Sequence, residues 1–143
     1  MQVSWFKARQ SCRSYGANLL SFETDKEFQA IISQLQSFDS SVDEDAQDYF
    51  DTFFWLAGND LEEEGKYVWS GSNKPVKAGK WARTQSFNVY DEDCVHLYKV
   101  RGKYRMNDFT CDAHMYYICQ TKRKCQIKKQ PVSLKNPYAI FLL

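Results

Sequence analysis

Histidine is scarce in this 143-residue chain, where His96 and His114 are the only two. Neither stands in a Ser/His/Asp or Cys/His arrangement, and no H-E-x-x-H or glycine-rich phosphate loop occurs. The chain is therefore expected not to be an enzyme. Long apolar runs are missing as well. The closing Tyr138 to Leu143 is far too short to cross a bilayer. Met1 leads into a polar, amphipathic segment rather than an apolar one, so any secretion signal has been removed or the chain is a fragment. Net charge is only +1, which leaves no overall cationic field to gather nucleic acid or anionic lipid. Neither is expected as a partner. No pair of cysteines has the C-x-x-C spacing of zinc or redox sites, and no internal repeat is present.

What is present argues for one packed domain. At this length folding buries roughly two-thirds of the chain's surface. The 43% hydrophobic and 16% aromatic content, with Trp5, Trp55, Trp69 and Trp81 spread along the chain, supplies the core. Charge is segregated: residues 39–51 hold Asp39, Asp43, Glu44, Asp45, Asp48 and Asp51 without Lys or Arg. Lys122, Arg123, Lys124, Lys128, Lys129 and Lys135 follow the last patterned segment. A solvated loop and a solvated tail account for both runs. Cys12, Cys94, Cys111, Cys119 and Cys125 suit structural bridges in an oxidising, extracellular compartment, with one cysteine left over. Counting alone leaves their pairing open.

Two helices are expected first and strands later. Ser4 can cap a helix from Trp5 to about Tyr15, stopped by Gly16, with Trp5, Ala8 and Cys12 on its inner side. Thr24 and Glu27 form a capping-box pattern ahead of Phe28, Ile31, Ile32 and Leu35, which repeat at helical spacing. Aromatic and β-branched runs then predict strands at 53–57, 66–69, 94–98, 104–106 and 115–119. The stretch 70–89, rich in Gly, Lys, Ser, Asn and Pro, reads as a long loop of the kind that is usually functional. Residues 1–120 are expected to form the domain and 121–143 a basic extension outside its core.

The segments "SWFKARQSCRSYGANLLSFETDKEF", "FFWLAGNDLEEEGKYVW", "EDCVHLY", "MNDFTC" and "CDAHMYYIC" occur in the order and spacing of the C-type lectin-like domain. From about Val3 to Gln120 the chain resembles that family, in wording closest to small secreted arthropod lectins. The resemblance implies an α+β fold, two helices flanking small antiparallel sheets with a long ligand and calcium loop. It also implies bridges Cys12–Cys119 and Cys94–Cys111, leaving Cys125 without a partner in the pattern. Family members begin with a strand well before the first helix, and here Met1 comes too late to supply it.

The stretch "TQSFNVYDEDC", Thr84 to Cys94, then acquires a meaning. In sugar-binding members, calcium is held by a Glu-Pro-Asn or Gln-Pro-Asp triplet, a glutamate before the second-bridge cysteine, and an Asn-Asp pair on the next strand. Calcium takes about six to eight oxygens, so a protein that leaves two places open can recruit neighbouring sugar hydroxyls. Gln85, Glu92, Asn107 and Asp108 match those positions. Ser86 and Phe87 do not, since Ser86 replaces the proline and a phenyl ring offers no oxygen; Asn88 is the residue placed to fill the vacancy. With a backbone carbonyl of Asp108 the set reaches about five oxygens, which implies weak calcium binding; by family analogy Gln85 favours a galactose-like diol, with a mannose-like one the open alternative. A second, auxiliary calcium position is matched by Asp60, Glu64 and Asp93, with the neighbourhood of Asn88.

Two function classes follow. One is a secreted, calcium-dependent lectin of innate immunity that recognises glycans. The other is a lectin-fold module that has lost its sugar site and binds protein, with Cys125 available to link a second lectin chain.

Overall fold

The computed structural model describes residues 1–39, 53–82, 93–122 and 138–142. Helix α1 spans Trp5–Ser14, and the Ser4 side chain accepts a hydrogen bond from the Lys7 N–H at 3.3 Å. That bond satisfies one of the amide donors every helix start leaves open. The helix ends where Gly16 takes φ +71°, a conformation that side chains resist. Its apolar stripe of Trp5, Ala8 and Cys12 is buried, as the spacing predicts. Helix α2 spans Asp25–Asp39 and buries Phe28, Ile31, Ile32 and Leu35. Thr24 Oγ1 accepts from the Glu27 N–H, while Glu27 Oε2 accepts from the Glu23 N–H, one residue earlier than a regular capping box would place it.

The strands are β1 Asn18–Leu19, β2 Phe53–Asn59, β3 Val68–Trp69, β4 Cys94–Val100, β5 Lys103–Phe109, β6 Tyr116–Lys122 and β7 Tyr138–Leu142. They form one sheet in the order β1-β6-β2-β4-β5, with β3 on β2 and β7 on β6. Pairing is antiparallel except between β2 and β6, so the expected small antiparallel sheets are joined into a mixed one. Within the expected extension 121–143, Tyr138–Leu142 form β7, paired with β6 from Ile118↔Leu142 to Lys122↔Tyr138, and half-buried Ile140 packs on the core.

Trp5, Trp55 and Trp69 lie at the centre of the core. Trp5 Nε1 donates to the Leu56 carbonyl at 2.8 Å and Trp55 Nε1 to the Val3 carbonyl at 3.0 Å. These buried bonds hold the N-terminal segment onto β2 and satisfy two indole N–H groups, whereas the buried Trp69 Nε1 has no partner among the described residues. Cys12–Cys119 ties α1 to β6, and Cys94–Cys111 closes the β4–β5 unit, in the pairing that the resemblance implies.

Candidate functional site

Antiparallel pairing sets Asn59 opposite Cys94, so the residues just outside that pair, Asp60 and Asp93, face each other. The Asp60 N–H donates to the Asp93 carbonyl at 3.0 Å. The chain then turns through 61–65, where Gly65 at φ +83° supplies the reversal and its N–H donates to Asp60 Oδ2 at 2.8 Å. The turn brings Glu64 back. One carboxylate oxygen from each of Asp60, Glu64 and Asp93 falls within 4.8 Å of the others.

Asp60 is only 2% exposed, and its Oδ1 has no hydrogen-bond partner. Burial, then the neighbouring Asp93 and Glu64 charges, hold its carboxyl up at about 6, against the pull of the Gly65 bond. A buried carboxylate oxygen without a donor, with two more carboxylates beside it, is costly unless a cation joins them. Hard oxygens converging in this way fit calcium better than zinc or copper, which favour nitrogen and sulfur.

A second cluster lies beside the first. Tyr67, just before β3, points its hydroxyl at Asp108 Oδ2 on β5, at 2.5 Å. Its phenol is pushed far up by burial, by that hydrogen bond and by the Asp108, Asp60 and Asp93 charges, so it remains a donor. Trp81 packs against Tyr67 with ring centroids 5.3 Å apart. Asp108 is buried, and its Oδ1 also lacks a partner. Asn107 is half-buried and accepts the Asp108 N–H through Oδ1 at 3.0 Å.

Of the residues that the family pattern singles out, the structure brings Asp60, Glu64 and Asp93 together and sets Asn107 and Asp108 side by side at the end of β5. Gln85, Ser86, Phe87, Asn88, Glu92 and Cys125 lie outside the described residues. Tyr67 was not anticipated as part of the site. Its one available signal was chemical: a tyrosine packed into an apolar strand pair needs a partner for its hydroxyl.

An α+β domain of two helices on a mixed sheet, pinned by these two bridges and carrying an acidic cluster at the β2–β4 end, defines a lectin-type architecture. The Lectin C-type domain family matches residues 1–121, and the chain belongs to it. C-type lectin 37Da of Drosophila melanogaster is 29% identical over 131 residues, 86% of this chain and 65% of that protein. C-type lectin mosGCTL-7 of Aedes aegypti is 28% identical over 127 residues, 87% of this chain and 80% of the relative. The chain thus spans somewhat under two-thirds of the fly protein. Among solved structures, the C-type lectin domain of murine dendritic cell inhibitory receptor 2, in complex with N-glycan, superposes with a TM-score of 0.60 at 17% identity. It covers 82% of this chain and 81% of that one, a likeness of fold.

Proposed function

We propose that the protein is a secreted carbohydrate-binding C-type lectin that holds calcium and recognises glycans at the end of β5. Asn107 and Asp108, with Gln85, Asn88 and Glu92, form the proposed sugar site; Asp60, Glu64 and Asp93 hold the auxiliary ion. The observation that carries this reading is the buried, unpartnered Oδ1 of Asp60 inside the three-carboxylate group. The insect lectin relatives support the ligand class, and the two disulfides support an oxidising, extracellular location.

A second reading has its own observation. Tyr67 already donates to Asp108 Oδ2 and so competes with a sugar-site cation for that oxygen. On that reading calcium at Asp60, Glu64 and Asp93 only orders the domain, which binds protein and pairs with a second lectin chain through Cys125.

Calcium calorimetry on the disulfide-intact protein separates the two, together with a glycan array run with and without chelator. The first reading expects chelator-sensitive glycan binding and a heat signal reduced in Asn107→Ala/Asp108→Ala. Calcium heat lost only in Asp60→Ala/Glu64→Ala, with a blank array, establishes the second. Thermal stability adds an independent check. Asp60→Asn keeps the bond from Gly65 but removes a buried charge, so it raises stability in chelator at pH 7. It also cancels the calcium gain of about 2.7 kcal/mol expected at roughly a hundredfold excess over Kd. An unchanged calcium gain in Asp60→Asn would remove the ion from this cluster.

A further inference from the structure

The β4–β5 hairpin has a second face that the calcium reading leaves unused. Along β5 burial alternates strictly: Tyr104, Met106 and Asp108 point inward, whereas Lys103, Arg105, Asn107 and Phe109 point outward. Register sets Arg105 opposite Tyr98 and Lys103 opposite Val100 on β4, and Tyr98 in turn opposite Phe53 on β2. The outward row therefore interleaves cations, an amide and aromatic rings over roughly 20 Å of strand. Its ends are exposed at Lys103 and at Phe109, the latter 41% exposed, while Arg105, Asn107, Tyr98 and Phe53 between them are half-buried.

Its charge is one-sided. No Asp or Glu occurs from Val95 to Asn107, while Lys103 and Arg105 stand on this face, Arg101 lies in the turn, and Lys99 points to the other side over the Tyr104 ring. Arg105 Nη1 donates to the Tyr104 carbonyl at 2.7 Å, which orients the guanidinium along the strand and leaves other N–H groups for an acceptor. Phe53 and Tyr98 form a floor above buried His96, with centroids 5.3 and 5.4 Å from the imidazole, and Phe109 closes the row at 6.2 Å.

We propose that this outward face is a subsite for an anionic glycan, a saccharide chain bearing sulfate or carboxylate groups. Guanidinium and ammonium groups bind such anions through charge-assisted hydrogen bonds, and aromatic rings among placed polar groups are what ligand surfaces consist of. The net charge of +1 supplies no long-range field, so the cations act locally on discrete anionic groups rather than gathering any polyanion. Asn107 joins this row to the proposed sugar site at the end of β5, so a chain held at one can continue along the other. The proposal rests on the glycan-binding reading but needs no calcium.

The test is fluorescence anisotropy with a short heparin-type oligosaccharide, its desulfated counterpart retaining the uronate carboxylates, a neutral dextran oligosaccharide, and single-stranded DNA of matched charge. Each is titrated in calcium and in EDTA. The expected result is binding of an anionic oligosaccharide at least about tenfold tighter than dextran or DNA, retained in EDTA and in Asp60→Ala/Glu64→Ala. Lys103→Gln/Arg105→Gln lowers it by about tenfold or more, with an unchanged circular dichroism spectrum. Retention by the desulfated arm assigns the recognition to carboxylates, and its loss there to sulfates. Absence of binding, equal affinity in the double variant, equal affinity for DNA, or complete loss in EDTA each overturns the subsite. A calcium-insensitive array together with EDTA-resistant heparin binding would sink the calcium reading and leave this one standing.

Discussion

His96 shows what one side chain costs when it is buried. It is 4% exposed, its Nδ1 has no partner, and burial among Phe53, Trp55, Tyr98 and Phe109 lowers its pKa to about 4 from the ordinary 6.5. The folded protein thus keeps the imidazole neutral where the unfolded chain would protonate it. Between pH 6.5 and 4 the unfolded state binds more protons, so stability falls as pH drops; the contribution is fully present above 6.5. The loss from this group amounts to roughly 3 kcal/mol at its fullest. In His96→Phe, urea unfolding at pH 7 and at pH 4.5 should show a smaller acid loss than the parent protein. Equal acid losses in both proteins would mean that His96 is hydrated or paired when folded.

At the scale of elements, both helices were legible because a cap and a 3.6-residue repeat are local signals, carried by Ser4, Thr24 and the stripes that follow. The central strands are legible too, from their aromatic and β-branched runs, although the bounds differ: β2, β4 and β5 run past the expected ends, β3 is shorter than 66–69, and β6 starts and ends later than 115–119. Leu19 in β1 and the closing strand β7 were not, since two residues carry no period and an edge pairing is decided by a strand far away in sequence. The Tyr67–Asp108 bond was invisible for the same reason: 41 residues separate its partners. The acidic trio was legible only through the family pattern, and its physical cause is the β2–β4 register. Gly58 permits the close approach of β2 to β4 beside it. A Cβ there would lie 2.8 Å from Val95 Cγ2 and 2.9 Å from Val95 Cβ, a stiff β-branched side chain that cannot swing away. Gly58→Ala should therefore destabilise by about 1 to 3 kcal/mol, through overpacking. Val95→Ala in the same chain should return part of that loss, so the two substitutions combine to less than their sum. Additive losses in denaturant unfolding would show that β2 and β4 do not press on each other at this point.

For the molecule as a whole, the two bridges hold different amounts of chain. Cys12–Cys119 spans 107 residues and joins the first helix to the strand that follows the whole binding region; Cys94–Cys111 spans 17. All four cysteines are buried, so replacing either pair by alanine removes similar packing, and the difference between them lies mainly in the unfolded chain. A cross-link that closes a longer loop removes more freedom from that state: about 4.8 kcal/mol for the first and about 3 for the second in the chain-entropy account. Domains of this size have only about 5 to 15 kcal/mol in total. Cys12→Ala/Cys119→Ala is therefore expected to take about a third or more of the stability and to shift the denaturation midpoint further than Cys94→Ala/Cys111→Ala. The shorter bridge has the more local role, because it fixes the start of β4 to the turn after β5, where Asp93, Asn107 and Asp108 stand. Its removal should accordingly weaken calcium binding more than its stability cost suggests, whereas the longer bridge should affect calcium only as the fold is lost. Midpoints in the reverse order, or calcium affinity indifferent to the Cys94–Cys111 bridge, would show that native strain rather than loop length sets the worth of these cross-links.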